Sequence, residues 1–528
     1  MMGVVLRSRH HDSKIPCPMT TDPSHAIPPE ISADLRTALT LHRDGKLDDA
    51  VQIYQSALRH APGNAVILLS LGAALLGLGR TRDAVASLEP ALTARPDHPD
   101  TCFTLAEAYR AEGRIEEAYA TAKTGLAGNS DYLQGHIAIA DALLDMGRHE
   151  DARAAFEDIL DRNPKDMAAL GKLGAFHYHV GEFDAAESNL SMAAAALPHH
   201  VETHWHLATL YLSQRRWAEG WGLYRWRWPM SKTVAQETMI SLPKWNGENL
   251  LGKRIIIWGE QGLGDELMFA TCVPDLLEMA NPDLCVLVCD QRLAAIFDRS
   301  FKDVHIQPID RQGNESGSFK MPVCDVQIAA GDLPAILRLN DDDFPSVRRR
   351  LIPDSIQGAR WRKRLDDLGS GLKVGIAWRG GTLERFRRSK SSKISDWAEI
   401  LATPGIRFVN LQYGDCAAEL AAMEDDERLL HHFDDLDPIA DPEGQMTLIS
   451  ELDLVIQTSN ASAHMAGMLG VPVWNLVPYV ADWRWGLETE ACLWYPTMRL
   501  FRQPALGDWA SVLQRAAREL RDKVAQRN

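Results

Sequence analysis

Two rhythms of apolar and polar positions run along this chain. In the first, small residues recur inside amphipathic stretches: Ala50, Ala84, Ala118, Ala152 and Ala186 stand 34 apart, and Gly220 takes the next place. Glycines keep step ahead of them at Gly45, Gly79, Gly113, Gly147 and Gly181, and prolines close units at Pro62, Pro96, Pro164 and Pro198, with Ser130 in the remaining place. Large side chains follow the small ones at Tyr54, Leu88, Phe156, Leu190 and Tyr224, with Ala122 the exception. This spacing predicts antiparallel helix pairs: the small residue lets two helices approach, the glycine turns the chain, and the proline ends the second helix. In the second rhythm, beyond residue 232, short apolar runs alternate with helical patterns. Strands are predicted at 255–258, 284–289, 305–309 and 325–329, with helices at 266–280 and 291–299. A polar section with Asp341-Asp342-Asp343 and Arg348-Arg349-Arg350 intervenes. Strands then resume at 373–378, 407–412, 454–458 and 471–476, with a helix from about Ala461 to Leu469. Alternating strands and helices predict parallel sheets covered on both faces.

The first rhythm is the tetratricopeptide pattern, about six repeats over residues 31–232, preceded by a Pro-, His- and Ser-rich stretch, 1–30, that reads as a disordered tail. Such arrays stack into a superhelix whose concave face holds peptides; a spacer or dimerisation surface is the alternative. The sixth unit turns aromatic and basic, and Trp221, Trp226 and Trp228 are expected to seal it against the next domain. The second rhythm splits into two lobes, 233–371 and 372–528, with ligands expected at the carboxyl ends of the strands.

Three stretches carry candidate chemistry. The first predicted strand runs into Gly259-Glu260-Gln261-Gly262-Leu263-Gly264-Asp265, where Gly262 and Gly264 let backbone N–H groups approach a ligand. Asp265 reads in two ways, as a general base or as the N-cap of a helix starting at Glu266. In the second lobe, Arg379-Gly380-Gly381 is followed by Arg385-Phe386-Arg387-Arg388-Ser389-Lys390, a cationic loop in which Arg379, Gly380 and Lys390 suit a phosphate; a solvated surface loop is the alternative. Third, Thr458-Ser459-Asn460-Ala461-Ser462-Ala463-His464 places Ser459 or Asn460 as a helix cap and leaves N–H groups from Asn460 to Ala463, Ala461 among them, for phosphate or ribose oxygens. His464 reads equally as a packed residue or a functional one. Gln412, at a strand end, is a candidate for touching a base or ribose. Asp482-Trp483-Arg484-Trp485 and Trp494-Tyr495 stack on a ligand or pack between lobes.

Charge and composition narrow this picture. A formal net charge of −16 argues against nucleic-acid binding, which needs a basic surface. No apolar run reaches the length needed to span a membrane. The eight cysteines include no C-x-x-C pair, which fits a reducing cytoplasm. No metal site is expected; Asp341-Asp342-Asp343 reads as a solvated acidic loop rather than a metal-binding D-x-D.

Taken with the repeats, GEQGLGDELMFATCVP, GIAWRGG and ELDLVIQTSNASAHMAGMLGVPVW resemble bacterial tetratricopeptide proteins fused to a GT-B glycosyltransferase module. The kinship is with O-GlcNAc transferases and, more distantly, heptosyltransferases; WRGGT and LQYGD most resemble enzymes that glycosylate flagellin. The resemblance implies an α plus α/β chain: a tetratricopeptide superhelix, then an acceptor lobe (233–371) and a nucleotide-sugar lobe (372–528), both Rossmann-like. It implies metal-independent, inverting chemistry without a cofactor. Asp265 is the base, the donor is UDP- or CMP-linked, and the acceptor is a protein such as flagellin held by the repeats. The family often has Asp-Thr where this chain has Ser459-Asn460, which puts the hydrogen bonds of that aspartate in question and leaves the Asn and the Ser hydroxyl to bind a neutral ribose or cap the helix. Two other classes stand beside this one. An NAD-linked oxidoreductase is disfavoured because the glycines read G-x-x-G-x-G. A scaffold with a decayed transferase module draws on the Ser459-Asn460 departure.

Overall fold

The computed structural model describes residues 31–527, apart from 97, 129–131, 231–241, 311–321, 345, 348–349, 381–389 and 424–429. The expected tail and the loop carrying Arg385 to Ser389 therefore lie outside the described residues. The chain divides into two compact units between His206 and Leu207, ahead of the boundary at 232 drawn from the repeat period.

In the first unit the predicted helix pairs are present: α1 (Ser32–Arg43) with α2 (Leu47–His60), α3 (Ala65–Gly77) with α4 (Thr81–Ala94), α5 (Pro99–Glu112) with α6 (Ile115–Gly128), α7 (Leu133–Asp145) with α8 (His149–Arg162), and α9 (Met167–Val180) with α10 (Phe183–Ala196). The periodic alanines Ala50, Ala84, Ala118, Ala152 and Ala186 have no exposed surface, because each sits where two helices cross. The periodic glycines all take left-handed backbone, with φ between 73° at Gly79 and 86° at Gly181. The first helices of successive pairs are tied by ion pairs. Arg110 of α5 meets Asp141 (2.9 Å) and Asp145 (2.8 Å) of α7, and Lys172 of α9 meets Glu202 at 3.0 Å. Glu107 lies among these charges; burial pushes its carboxyl up to about 7, against the opposing pull of Arg110 and Lys172.

The second unit opens with the end of α11 (Val201–Ser213), then α12 (Trp217–Tyr224) and the short α13 (Arg227–Met230). Here the left-handed place of the sixth repeat falls to Arg215, at φ 61°. A side chain in that conformation is costly, and it is held by Asp341 (2.8 Å) and Thr489 (2.5 Å).

Two parallel sheets come next. The first has strands β1 (Arg254–Trp258), β2 (Leu284–Asp290), β3 (His305–Ile309) and β4 (Val326–Ala329) in the order β3-β2-β1-β4. The second has β5 (Leu372–Ala377), β6 (Ile406–Asn410), β7 (Leu430–His431), β8 (Leu454–Thr458), β9 (Val473–Val477) and β10 (Met498–Arg502) in the order β10-β9-β8-β5-β6-β7. Both reverse direction beside their first strand, as doubly wound sheets do, and that point is where such sheets open a crevice. The longer helices are α14 (Leu263–Ala270), α15 (Val273–Ala280), α16 (Gln291–Ser300), α17 (Ser355–Asp367), α18 (Pro442–Ser450), α19 (Ala461–Leu469) and α20 (Trp509–Ala525). The single helix expected over 266–280 is two, α14 and α15, broken at Thr271 and Cys272 just before Pro274. β7, β10, α17, α18 and α20 are not among the elements that the sequence predicts. One face of the second sheet packs Val374, Ile376, Leu454, Ile456 and Phe501 against Val512, Leu513, Ala516 and Leu520 of α20.

Candidate functional site

The glycine loop after β1 is built from below. Gln261 turns the chain at φ 63°, and Gly262, extended at φ −105°, caps α14, which starts at Leu263. Asp265 is therefore the third residue of the helix rather than its N-cap. From there its carboxylate reaches back to the Gly262 N–H (3.4 Å), and it accepts a hydrogen bond from Arg484 Nη2 at 2.5 Å. Asp265 is 3% exposed, so this is a buried ion pair. Glu260 is a structural member of the same loop: it accepts two bonds from Arg227, each 2.8 Å, and one from the Gly331 N–H at 2.7 Å. Gln261 donates to the Tyr224 hydroxyl at 3.1 Å.

Gly264 is where the two sheets' helices meet. A Cβ there would lie 2.9 Å from the His464 ring, so only glycine lets α14 approach α19 this closely. His464 is a packed residue: its Nδ1 lies 2.8 Å from the Tyr495 hydroxyl and its ring 5.1 Å from that of Trp485. Burial pushes its imidazole down to about 3, so it is neutral. The tryptophans of this segment pack too. Trp483 meets Trp221 (5.4 Å) and Tyr224 (5.5 Å), and the Trp221 indole donates to the Arg338 carbonyl at 3.0 Å.

Arg484 extends the network to the second sheet. It donates to Asp482 through Nη1 at 2.7 Å, and Lys390 Nζ lies 3.5 Å from the other oxygen of Asp482. Burial opposes ionisation of Asp482, yet Arg484 and Lys390 hold its carboxyl well below the usual range. Asp265, Arg484, Asp482 and Lys390 thus form one chain of alternating charge.

Around β5, Gly380 lies against the Ser459 carbonyl, where a Cβ would come within 2.4 Å. The Asn460 side chain caps α19 through the Ser462 N–H (2.9 Å) and donates to the Arg379 carbonyl at 3.2 Å. The Ser459 hydroxyl donates to Asn475 at 3.3 Å, and Ala461 is the first residue of α19. Gln412 is buried, its amide oxygen accepting from the Trp378 and Arg379 N–H groups at 3.0 and 2.8 Å and its amide nitrogen donating to the Tyr413 carbonyl at 3.1 Å, so it orients the strand end. The Arg379 guanidinium meets Glu419 (3.0 Å) and the Asp415 carbonyl (2.9 Å). The structure thus joins Gly262, Gly264, Asp265, His464 and, through Arg484, Lys390. Gly380, Ser459, Asn460 and Ala461 form an adjoining backbone cradle, and the side chains of Arg379 and Gln412 are engaged elsewhere.

Sequence reasoning assigns no such roles to Arg484, Asp482, Glu260 and Arg227. The one available signal is Asp-x-Arg at 482–484, an acid and a base two apart amid tryptophans. Asp341 accepts from Arg215 and the Trp217 indole (2.8 Å each), while Asp343 accepts the Asn340 N–H at 2.8 Å. Among the described residues no group of three or more His, Cys, Asp or Glu is placed to hold a metal, and no helix is long and apolar enough to cross a membrane.

Comparison with known proteins bears on the first half most directly. Tetratricopeptide-repeat family descriptions match residues 41–88 and 75–138, and a second one residues 137–200. The N-terminal region is a tetratricopeptide array. The chain is also similar to Protein FlbA of Caulobacter vibrioides, 33% identical over 382 residues, which covers 70% of this chain and 64% of that protein. The match thus spans less than two thirds of that relative's length, and it is longer than the whole chain ahead of Leu207, so it takes in part of the α/β unit. Among solved structures, a thermophilic TPR protein of Thermus thermophilus is 21% identical, covering 34% of this chain and 99% of its own with a TM-score of 0.32. A tetratricopeptide repeat protein of Parabacteroides merdae is 20% identical, covering 39% of this chain and 87% of its own, with a TM-score of 0.31.

Proposed function

We propose that the α/β unit is a GT-B glycosyltransferase module that moves a sugar from a nucleotide-sugar donor to a hydroxyl of an acceptor protein gripped by the repeats. Flagellin is the acceptor class suggested by the sequence resemblance. The observation that carries the reading is the convergence of a glycine-loop carboxylate, Asp265, and the lysine that ends the cationic loop, Lys390, on one ion-pair chain between two doubly wound sheets. In the reaction, the acceptor oxygen forms a bond to the anomeric carbon and its proton passes to the Asp265 carboxylate. The bond from that carbon to the phosphate oxygen breaks, and the leaving phosphate keeps the electron pair, steadied by Lys390 and the N–H groups at the start of α19. No metal or cofactor enters these steps.

A second reading, a non-catalytic scaffold, is favoured by one observation: the Arg379 guanidinium is paired with Glu419. Offering the purified protein a panel of UDP- and CMP-linked sugars, with and without acceptor protein, separates the two. Acceptor-dependent release of nucleotide supports transfer; binding of none of the panel, with no release, supports the scaffold.

A further inference from the structure

Arg484 and Asp482 are the inner members of the four-charge chain, with side chains 9% and 19% exposed. Each is shared. Arg484 divides its donors between Asp265 and Asp482, and its Nε–H has no partner among the described residues. Asp482 divides its oxygens between Arg484 and Lys390, whose side chain is 23% exposed at the outer end. In so dry a place, weakening one pairing strengthens its neighbour, because each charge must be met by another.

We propose that Arg484 and Asp482 are positioning residues that couple an anion at Lys390 to release of the Asp265 carboxylate. The inference rests on the transferase reading. When the phosphates of a nucleotide take Lys390, Asp482 loses that counter-charge and draws Arg484 wholly to itself. The Asp265 oxygen bonded to Arg484 is then free for an acceptor hydroxyl. Before a donor is seated, that oxygen remains occupied, so no hydroxyl is deprotonated ahead of its electrophile. The coupling sets an order, donor before proton transfer, without any movement of the sheets.

The test is titration calorimetry with UDP, CMP and inorganic pyrophosphate on the full chain, with steady-state transfer rates measured in parallel. Asp482→Asn leaves Lys390 without its acid and Arg484 with Asp265 alone. It is expected to bind the nucleotide about threefold or more tighter while kcat falls about tenfold. Asp482→Glu restores both values toward those of the native chain. Arg484→Gln leaves Asp482 to Lys390 alone, so nucleotide binding weakens, the opposite sign, although the altered residue does not touch Lys390. Loss of affinity in both variants, or no change in either, overturns the coupling; so does a fall in kcat with an equal rise in donor KM. Should Asp482→Asn fail to fold, the sign of the Arg484→Gln shift decides alone. A native chain that binds none of the three probes instead sinks the transferase reading itself.

Discussion

At the scale of single residues, the site turns on where a helix begins. Had α14 started at Glu266, Asp265 would cap it; starting at Leu263, it leaves Asp265 inside the first turn, held by Arg484. Replacing Asp265 with Asn is therefore expected to keep the fold and to lower acceptor-dependent transfer about a hundredfold or more. Near-native turnover, with unfolding temperature unchanged, would remove the residue from the chemistry. Gly264 makes a separate demand. The His464 ring it touches is fixed by Tyr495 and Trp485 and cannot yield. Gly264→Ala should cost about 1–3 kcal/mol in denaturant unfolding, the usual range for overpacking. An unaltered midpoint would show that α14 and α19 part easily.

Among the elements, the helix pairs were legible because the array writes its period in residue identity: alanines at crossings and glycines in left-handed turns recur without a slip. The sixth turn was not, since Arg215 stands where a glycine belongs and is held by partners far along the chain. β10, Met498–Arg502, alternates arginines with apolar residues and reads as polar; its Arg499 is neutralised by Glu490 and Glu519, the latter on α20. The charged ladder across α5, α7, α9 and the start of α11 makes a testable demand as well. Glu107 keeps its proton up to about pH 7 when folded, against a value near 4.5 when free. Between those limits the folded chain binds the proton and the unfolded chain releases it, so this group's contribution to stability falls as pH rises and is fully unfavourable above 7. Glu107→Gln should thus stabilise the array by about 1 kcal/mol or more at pH 8, and hardly at all near pH 5. Melting curves at the two pH values check this; an equal gain at both would exclude titration as its source.

For the whole molecule, the sequence disclosed that strands and helices alternate but not how the strands are ordered, because pairing joins segments far apart. The Asp265–Arg484 contact spans 219 residues, and nothing local announces it. The division between the compact units has the same origin: the sixth repeat continues the period in sequence, yet its Tyr224 and Arg227 lock the glycine loop through Gln261 and Glu260. A fragment starting at 233 strips Arg227 from the buried Glu260, a loss worth about 3–5 kcal/mol. It should be recovered as aggregate, whereas one starting at 199, just ahead of α11, should elute as a monodisperse folded species in size-exclusion chromatography. Equal behaviour of the two would show that the repeat end is dispensable to the sheets.

The seven described cysteines are buried, and they are spread through the molecule: Cys102 in the helix array, Cys272, Cys285, Cys289 and Cys324 around the first sheet, Cys416 and Cys492 around the second. Burial pushes the Cys272 thiol up to about 11 and those of Cys285 and Cys492 up to about 12, which suppresses the reactive thiolate in the native state. An alkylating reagent therefore marks each region only as that region opens. Reading adducts peptide by peptide would turn these sulfurs into resident clocks that report which part of the protein lets go first.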